Sequence, residues 1–304
     1  DLVKNINIIL KKEKIFFNKF LLIIDKKIPK KFIGILKKKL SSKKIILYNF
    51  LSSEKNKNYQ SVSKILNLLF QNNFNREDCV ISIGGGIVGD VSGFAASIYK
   101  RGIKFVNIPS TLLSQVDSSI GGKTGINNNY GKNQIGTFYQ PDIVLSDISL
   151  LASLPKREIL CGYGEILKHS LISSEKNFIF LNKNQKKIFK LKHPFIEKTI
   201  YESCKIKANV VQKDEREKNL RKVLNLGHTF AHSFEASLQY SKKLNHGEAV
   251  ILGIKNAVNF SYENNILSKK DHSKIIQHIE NINFNKKLKN FFKKRNVSKI
   301  INFM

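Results

Sequence analysis

Cysteine is scarce in this chain, long apolar runs are missing, and acidic residues are heavily outnumbered. Cys79, Cys161 and Cys204 are odd in number and widely spaced. That excludes a disulfide framework or a zinc ribbon and fits reduced thiols of the cytoplasm. No uninterrupted apolar stretch approaches the ~20 residues of a membrane span, so no membrane role is expected. The opening stretch "DLVKNINIILKKEKIFF" scatters charge where a signal peptide needs an apolar block and a small-residue cleavage site. Its first residue is Asp1 rather than Met, so a longer natural N-terminus is expected.

The shortage of acids leaves 53 Lys and Arg against 23 Asp and Glu, a formal charge of +30. Such an excess invites a nucleic-acid reading, and its location decides against it. Between Cys79 and Ser170 the balance is eight basic residues against six acidic, so the remainder carries 45 against 17. The excess sits in Lys pairs among Ile and Asn, as in "KKFIGILKKKL" and "NKKLKNFFKKRN". That pattern is compositional drift over surface segments, so no nucleic-acid partner is expected.

A chain of 304 residues with 41% hydrophobic content can bury two domains' worth of core. Short apolar runs "FLLIID", "KKIILYNF", "CVISI", "IKFVNIPS" and "QPDIVLSD" predict buried parallel strands, and "SVSKILNLLFQNN" a helix between them. Strand–helix alternation of this kind marks a doubly wound α/β domain. Strand signals stop near Leu150, so a domain 1–150 is expected before a helical domain 151–304.

"CVISIGGGIVGD" is a strand, a glycine cluster and a helix start. Gly84, Gly86 and Gly89 have the G-x-G-x-x-G spacing that lets a backbone approach a pyrophosphate at a helix N-terminus. A tight structural turn uses the same residues. The acid that should end the next strand in a dinucleotide site is absent, because that strand ends "NIPST". The segments "SQVDSSIGGKTGIN" and "NYGKNQIGTFYQP" follow, each with one lysine among glycines, Lys123 and Lys132. Either they are surface turns or they reach a phosphate.

"RKVLNLGHTFAHSFEAS" predicts a helix from about Arg221. Its spacing puts Arg221, Asn225, His228, His232 and Glu235 on one face, a polar stripe without lysine. Two His four apart nominate a metal pair, His228 and His232, against the plainer reading of packed histidines. "GYGEILKHS" offers a carboxylate, Glu165, with Lys168 one turn along, either as part of such a site or as a structural ion pair.

Taken together, "GGGIVGDVSGFAAS", "RGIKFVNIPSTLLSQVDSSIGGKTGIN", "GKNQIGTFYQP", "LPKREILCGYGEILKH", "LNLGHTFAHSFE" and "HGEAV" resemble 3-dehydroquinate synthase, from about Cys79 to Gly253. The resemblance implies an α/β Rossmann-like N-terminal domain plus an all-α C-terminal domain. It implies a shikimate-pathway lyase that converts 3-deoxy-D-arabino-heptulosonate 7-phosphate to 3-dehydroquinate and phosphate. NAD and one divalent metal, Zn2+ or Co2+, are the implied cofactors, and a cytoplasmic homodimer the implied form. NAD would oxidise C4 transiently, phosphate would leave, the carbonyl would be reduced again, and an intramolecular aldol would close the ring.

Carried over position by position, the metal ligands become Glu165, His228 and His246, which moves His232 from the metal to the substrate. NAD contacts fall on Gly86, Ile87, Val88, Gly89 and Asp90, on the upstream pair Glu54 and Lys57, and on Ser110, Thr111, Lys123 and Lys132. They end with the stretch Leu150, Leu151, Ala152 and Ser153. Groups facing a sugar-phosphate substrate become Asp117, Lys123, Asn133, Lys168, Lys207, Arg221, Asn225 and His232, with Arg101 reaching from a partner subunit. Ser52 and Ser53 stand where an Asp-Gly usually precedes the adenosine-side Glu. The chain stops at "VSKIINFM", and the resemblance implies a further segment carrying a phosphate-side lysine. A sister sugar-phosphate cyclase and an iron-type polyol dehydrogenase are the alternatives of similar architecture.

Overall fold

The structure is a computed structural model and describes residues 2–241, 243–283 and 297–304. The basic stretch 285–296 lies outside the described residues. Two compact units divide the chain, Asp1–Pro155 and Lys156–Met304.

The first unit holds helices α1 (Ile6–Lys12), α2 (Lys30–Lys39), α3 (Tyr59–Gln71) and α4 (Gly86–Ile98). Its parallel sheet runs β2-β1-β3-β4-β7, from β1 (Lys19–Asp25), β2 (Lys44–Phe50), β3 (Cys79–Gly84), β4 (Lys104–Pro109) and β7 (Ile143–Val144). Alternation along β1 decides which face each residue serves. Phe20, Leu22 and Ile24 join Phe32 and Leu36 of α2 in one core, and Leu21 and Ile23 join Ile65 and Leu69 of α3 and Val91 of α4 in the other. Every described residue of β3 is buried, as a strand with helices on both faces must be. The chain leaves β1 toward β2 and returns to β3 on its other side. The carboxyl ends of β1 and β3 therefore form a topological switch point, where open α/β sheets bind ligands.

The two glycine segments, open at the level of sequence between surface turns and phosphate contacts, are not simple loops. They form an antiparallel hairpin, β5 (Lys123–Asn128) with β6 (Gly131–Phe138), register Gly125 opposite Gly136. A Cβ on Gly136 would stand 2.0 Å from the Thr124 carbonyl oxygen, and one on Gly125 2.6 Å from that of Ile135. The glycines thus serve close strand approach, a use that local sequence cannot tell from turn chemistry.

The second unit is helical: α5 (Lys156–Ser173), α6 (Glu175–Phe189), α7 (Phe195–Lys213), α8 (His228–Ser237), α9 (His246–Glu263), α10 (Lys269–Ile282) and α11 (Val297–Ile301). Residues Ile159 to Ser170 of α5 are all buried, which makes it the central helix of the unit. No described helix is long and apolar enough to cross a membrane.

The helix predicted from Arg221 starts seven residues later. Leu220–Asn225 is a separate 3-10 turn, and Gly227 (φ 77°) caps α8 in the left-handed region. Its Cβ would meet the Ile254 backbone nitrogen at 2.6 Å, so close contact with α9 stops the helix there. Arg221 and Asn225 therefore do not share a helical face with the histidines.

Candidate active site

In the second unit, α5 supplies Glu165 and Lys168, α8 supplies His228, His232 and Glu235, and α9 opens on His246. Glycine contacts set the spacing. A Cβ on Gly247 would lie 1.9 Å from the Cys161 carbonyl oxygen, and one on Gly164 2.5 Å from that of Gly247. Backbone therefore meets backbone beside Glu165 and His246, and only hydrogen at these Cα positions allows it. The start of α9 is fixed by a capping box, Glu248 N–H donating to Asn245 Oδ1 and Asn245 N–H to Glu248 Oε2, both at 2.9 Å. Arg157 of α5 donates to both oxygens of that same Glu248, at 2.8 and 2.6 Å.

This scaffold brings Glu165, His228 and His246 together, one ligand atom of each within 4.8 Å of the others. Glu165 is fully buried, and its Oε1 lies 3.5 Å from His246 Nε2 and 3.8 Å from His228 Nε2. Those separations are too long for good hydrogen bonds, and Oε1 makes none among the described residues. The opposite ring nitrogens are engaged, His228 Nδ1 with the Leu226 carbonyl at 3.4 Å and His246 Nδ1 with Glu235 Oε2 at 3.2 Å. Three donor atoms thus face one small volume while the rings are held from behind. That arrangement fits a divalent cation with an open coordination position.

Electrostatics agree. Burial alone would raise Glu165, but the buried Lys168 ammonium and His246 hold its carboxyl well below the usual range. Burial, with Lys168 nearby, lowers His228 to about 4, so the ring is neutral. Burial opposes charge on His246 too, yet Glu165 and Glu235 outweigh it and raise that ring to about 10. The two carboxylates therefore favour one positive charge where His246 meets Glu165, either a proton on the ring or, in its place, a bound cation.

The His232 ring stands 5.3 Å from that of His228 and 6.4 Å from that of His246, beside the three donors. Lys207 is buried on α7, on the face of Ser203, whose hydroxyl meets His169 Nδ1 at 2.6 Å. Arg221 is buried and donates to the Glu215 carbonyl at 2.5 Å, while Asn225 lies exposed, 3.4 Å from Glu217 Oε1.

In the first unit, the glycine cluster ends β3 and starts α4 at the switch point. Gly85 is the N-cap and contributes no side chain, so the first-turn amides of α4, from Gly86 on, have no capping side chain. Such an end suits an anion. Ile87 and Gly89 line the same turn. Val88 instead points into the core, against Gly84, so only its backbone could touch a ligand. Lys57 is buried, with Nζ 2.5 Å from both Asp90 Oδ2 and Asn133 Oδ1, which ties the Glu54–Asn56 turn, α4 and β6 together. Glu54 Oε2 accepts from Asn127 Nδ2 at 2.9 Å, and Ser53 caps that turn through Asn56 N–H.

Asp90 and Lys123 line one depression with Asn107, Ser118 and Thr124. Asp117 lies in the adjoining π-helical turn Ser114–Ser118. Ser110 donates its N–H to the Gly84 carbonyl at 2.8 Å, and Thr111 is tied to Ser114 at the same sheet end. Lys132 lies on β6. Leu150 and Leu151 are buried in the 3-10 turn Ile148–Ser153, with Ala152 exposed. Arg101 is exposed at a positive φ of 66°, among none of the clusters above.

Sequence reasoning missed Arg157, Glu248 and the Gly164–Gly247 contact. The capping box was readable in "NHGE", an Asn followed three residues later by Glu. The glycine contact was not, because it joins residues 83 positions apart.

A sheet with a glycine turn at its switch point, followed by a helical unit in which two histidines and a carboxylate converge, defines a class. It is a two-unit architecture that solved structures show both in a 2-deoxy-scyllo-inosose synthase and in a probable glycerol dehydrogenase. The fold is shared with 2-deoxy-scyllo-inosose synthase, solved with carbaglucose-6-phosphate, NAD+ and Co2+ (TM-score 0.85, 23% identity, covering 99% of this chain and 81% of that one). The family is sharper: 3-dehydroquinate synthase N-terminal and C-terminal family models match residues 47–161 and 162–304. The 3-dehydroquinate synthase of Pelagibacter ubique is 58% identical over 304 residues, all of this chain and 83% of that protein. That of Bartonella quintana is 40% identical over 92% of this chain and 75% of its own length. This chain belongs to the 3-dehydroquinate synthase family.

Proposed function

We propose that the chain carries out its family's lyase reaction, from 3-deoxy-D-arabino-heptulosonate 7-phosphate to 3-dehydroquinate and phosphate, with Glu165, His228 and His246 holding the divalent metal. The observation that carries the site is the buried Glu165 Oε1, unbonded and faced by two imidazole nitrogens. When bound, the metal supplies Lewis acidity toward substrate hydroxyls and NAD a reversible hydride acceptor.

The chain's own residues do the rest. Lys168 keeps Glu165 ionised. His232, beside the donors and not among them, can hydrogen-bond or pass a proton near neutral pH. Lys207 and Arg221 of the second unit supply counter-charge for a dianionic phosphate, and Lys123 of the first unit is a further cation for an anionic ligand. The uncapped start of α4 supports a pyrophosphate, and Lys57, fixed by Asp90 and Asn133, supports the adenosine side with Glu54. The Lys132 and Leu150–Ser153 contacts, a homodimer in which Arg101 crosses between subunits, and a cytoplasmic site of action belong to the same reading.

The test is phosphate release from that substrate with and without chelator, followed together with NADH absorbance. Release that stops with chelator and leaves no NADH supports the proposal. Stoichiometric NADH overturns it in favour of a dehydrogenase.

A further inference from the structure

Glu235 belongs to the polar face of α8 that sequence spacing picked out, and neither the metal nor the substrate reading takes it as a ligand. It lies two helical turns from His228, and its Oε2 accepts from His246 Nδ1 at 3.2 Å, while the opposite nitrogen of that ring faces Glu165 Oε1 at 3.5 Å. The carboxylate is nearly buried, with 12% of the side chain exposed, so water competes weakly for it. His228 has the same plan by other means, its Nδ1 engaged by the Leu226 carbonyl and its Nε2 directed at Glu165. His246 sits at the first residue of α9, where the backbone before it is no longer helical. Among the described residues no local carbonyl plays for it the part that Leu226 plays for His228.

We propose that Glu235 is the positioning residue for His246. It holds the proton on Nδ1 and fixes the ring plane, so that the Nε2 lone pair is presented to the cation. Helix α8 then contributes one ligand directly and orients a second. A carboxylate behind a ligating imidazole also raises its basicity, and removing such a partner typically weakens metal affinity about 10- to 100-fold. The inference rests on the metal-site reading above, and the experiment separates the two.

Metal-free full chain, Glu235→Ala and Glu235→Gln are titrated with Zn2+ against a chromophoric chelator and with Co2+ by its visible spectrum. Thermal melts of the metal-free proteins run alongside. Glutamine keeps an acceptor oxygen for Nδ1–H, so Glu235→Gln should bind within about fivefold of the parent. Glu235→Ala should bind about 10- to 100-fold more weakly, with an altered Co2+ spectrum and a near-parental metal-free melt. Parental affinity in Glu235→Ala overturns the inference and leaves the metal site standing. Equal weakening in both variants with a lowered metal-free melt also overturns it, by making Glu235 merely structural. A parent chain that binds no metal sinks the metal site and this inference together.

Discussion

Consider Gly247→Ala, a single methyl on the first turn of α9. The added Cβ would sit 1.9 Å from the Cys161 carbonyl oxygen and 2.5 Å from Cys161 Cα, where ordinary contact begins at 3.4 Å. Backbone atoms on α5 cannot swing away, so α9 must retreat by about 1.5 Å, the difference between those distances. Overpacking of this kind costs ~3 kcal/mol, and more if the Arg157–Glu248 contact breaks as well. The same retreat carries His246 from Glu165, although metal sites tolerate only about 0.2 Å of error in ligand distances. Metal affinity should therefore fall by on the order of 100-fold, and turnover with it. Gly34→Ala on α2 is the control, since nothing lies within 4 Å of its Cβ. It should stabilise by about 0.5–1 kcal/mol through helix propensity alone. Urea unfolding and zinc titration of both variants check this. A Gly247→Ala protein with the parental midpoint and zinc affinity would refute the backbone-contact argument.

Metal analysis should show His246→Ala losing most of its metal and His232→Ala keeping it; the reverse would restore the four-apart pair. His278 is fully buried, accepting from Tyr163 Oη at 2.9 Å and donating through Nδ1 to Asn182 Oδ1 at 2.8 Å. Burial lowers it from 6.5 to about 4, so below pH 6.5 the unfolded chain takes up the proton first. Its contribution is complete above pH 6.5 and falls by up to ~3 kcal/mol as pH drops toward 4. Urea midpoints of parent and His278→Gln across that range should converge on acidification, and parallel curves would refute the assignment. Lys57→Met should weaken NAD retention, measured by dialysis and fluorescence, because Asp90 and Asn133 lose their common partner. By contrast, Lys→Gln changes in "KKFIGILKKKL" should leave kcat/KM unchanged if the charge excess is drift.

Local rules carried the reading of this chain a long way. Apolar runs located β1 to β4 because a buried parallel strand needs nothing beyond continuous apolar residues. The glycine cluster after "CVISI" located the switch-point turn because its strand–turn–helix context is contiguous. Motif order named the family before any fold was drawn. Periodicity failed at Arg221, where Gly227 meets α9 and starts the helix at His228, and glycine content alone did not show that the two glycine segments pair with each other as β5 and β6. Spacing alone paired His228 with His232, since residues four apart on one helix are the only neighbours a linear pattern can see. Glu165, His228 and His246 meet because glycines at 164 and 247 let two helix backbones touch and because an Asn245–Glu248 cap, clamped by Arg157, starts α9 at that point. The glycine and Arg157 contacts join residues more than 80 positions apart, and only tertiary packing, which works through space rather than along the chain, could decide them.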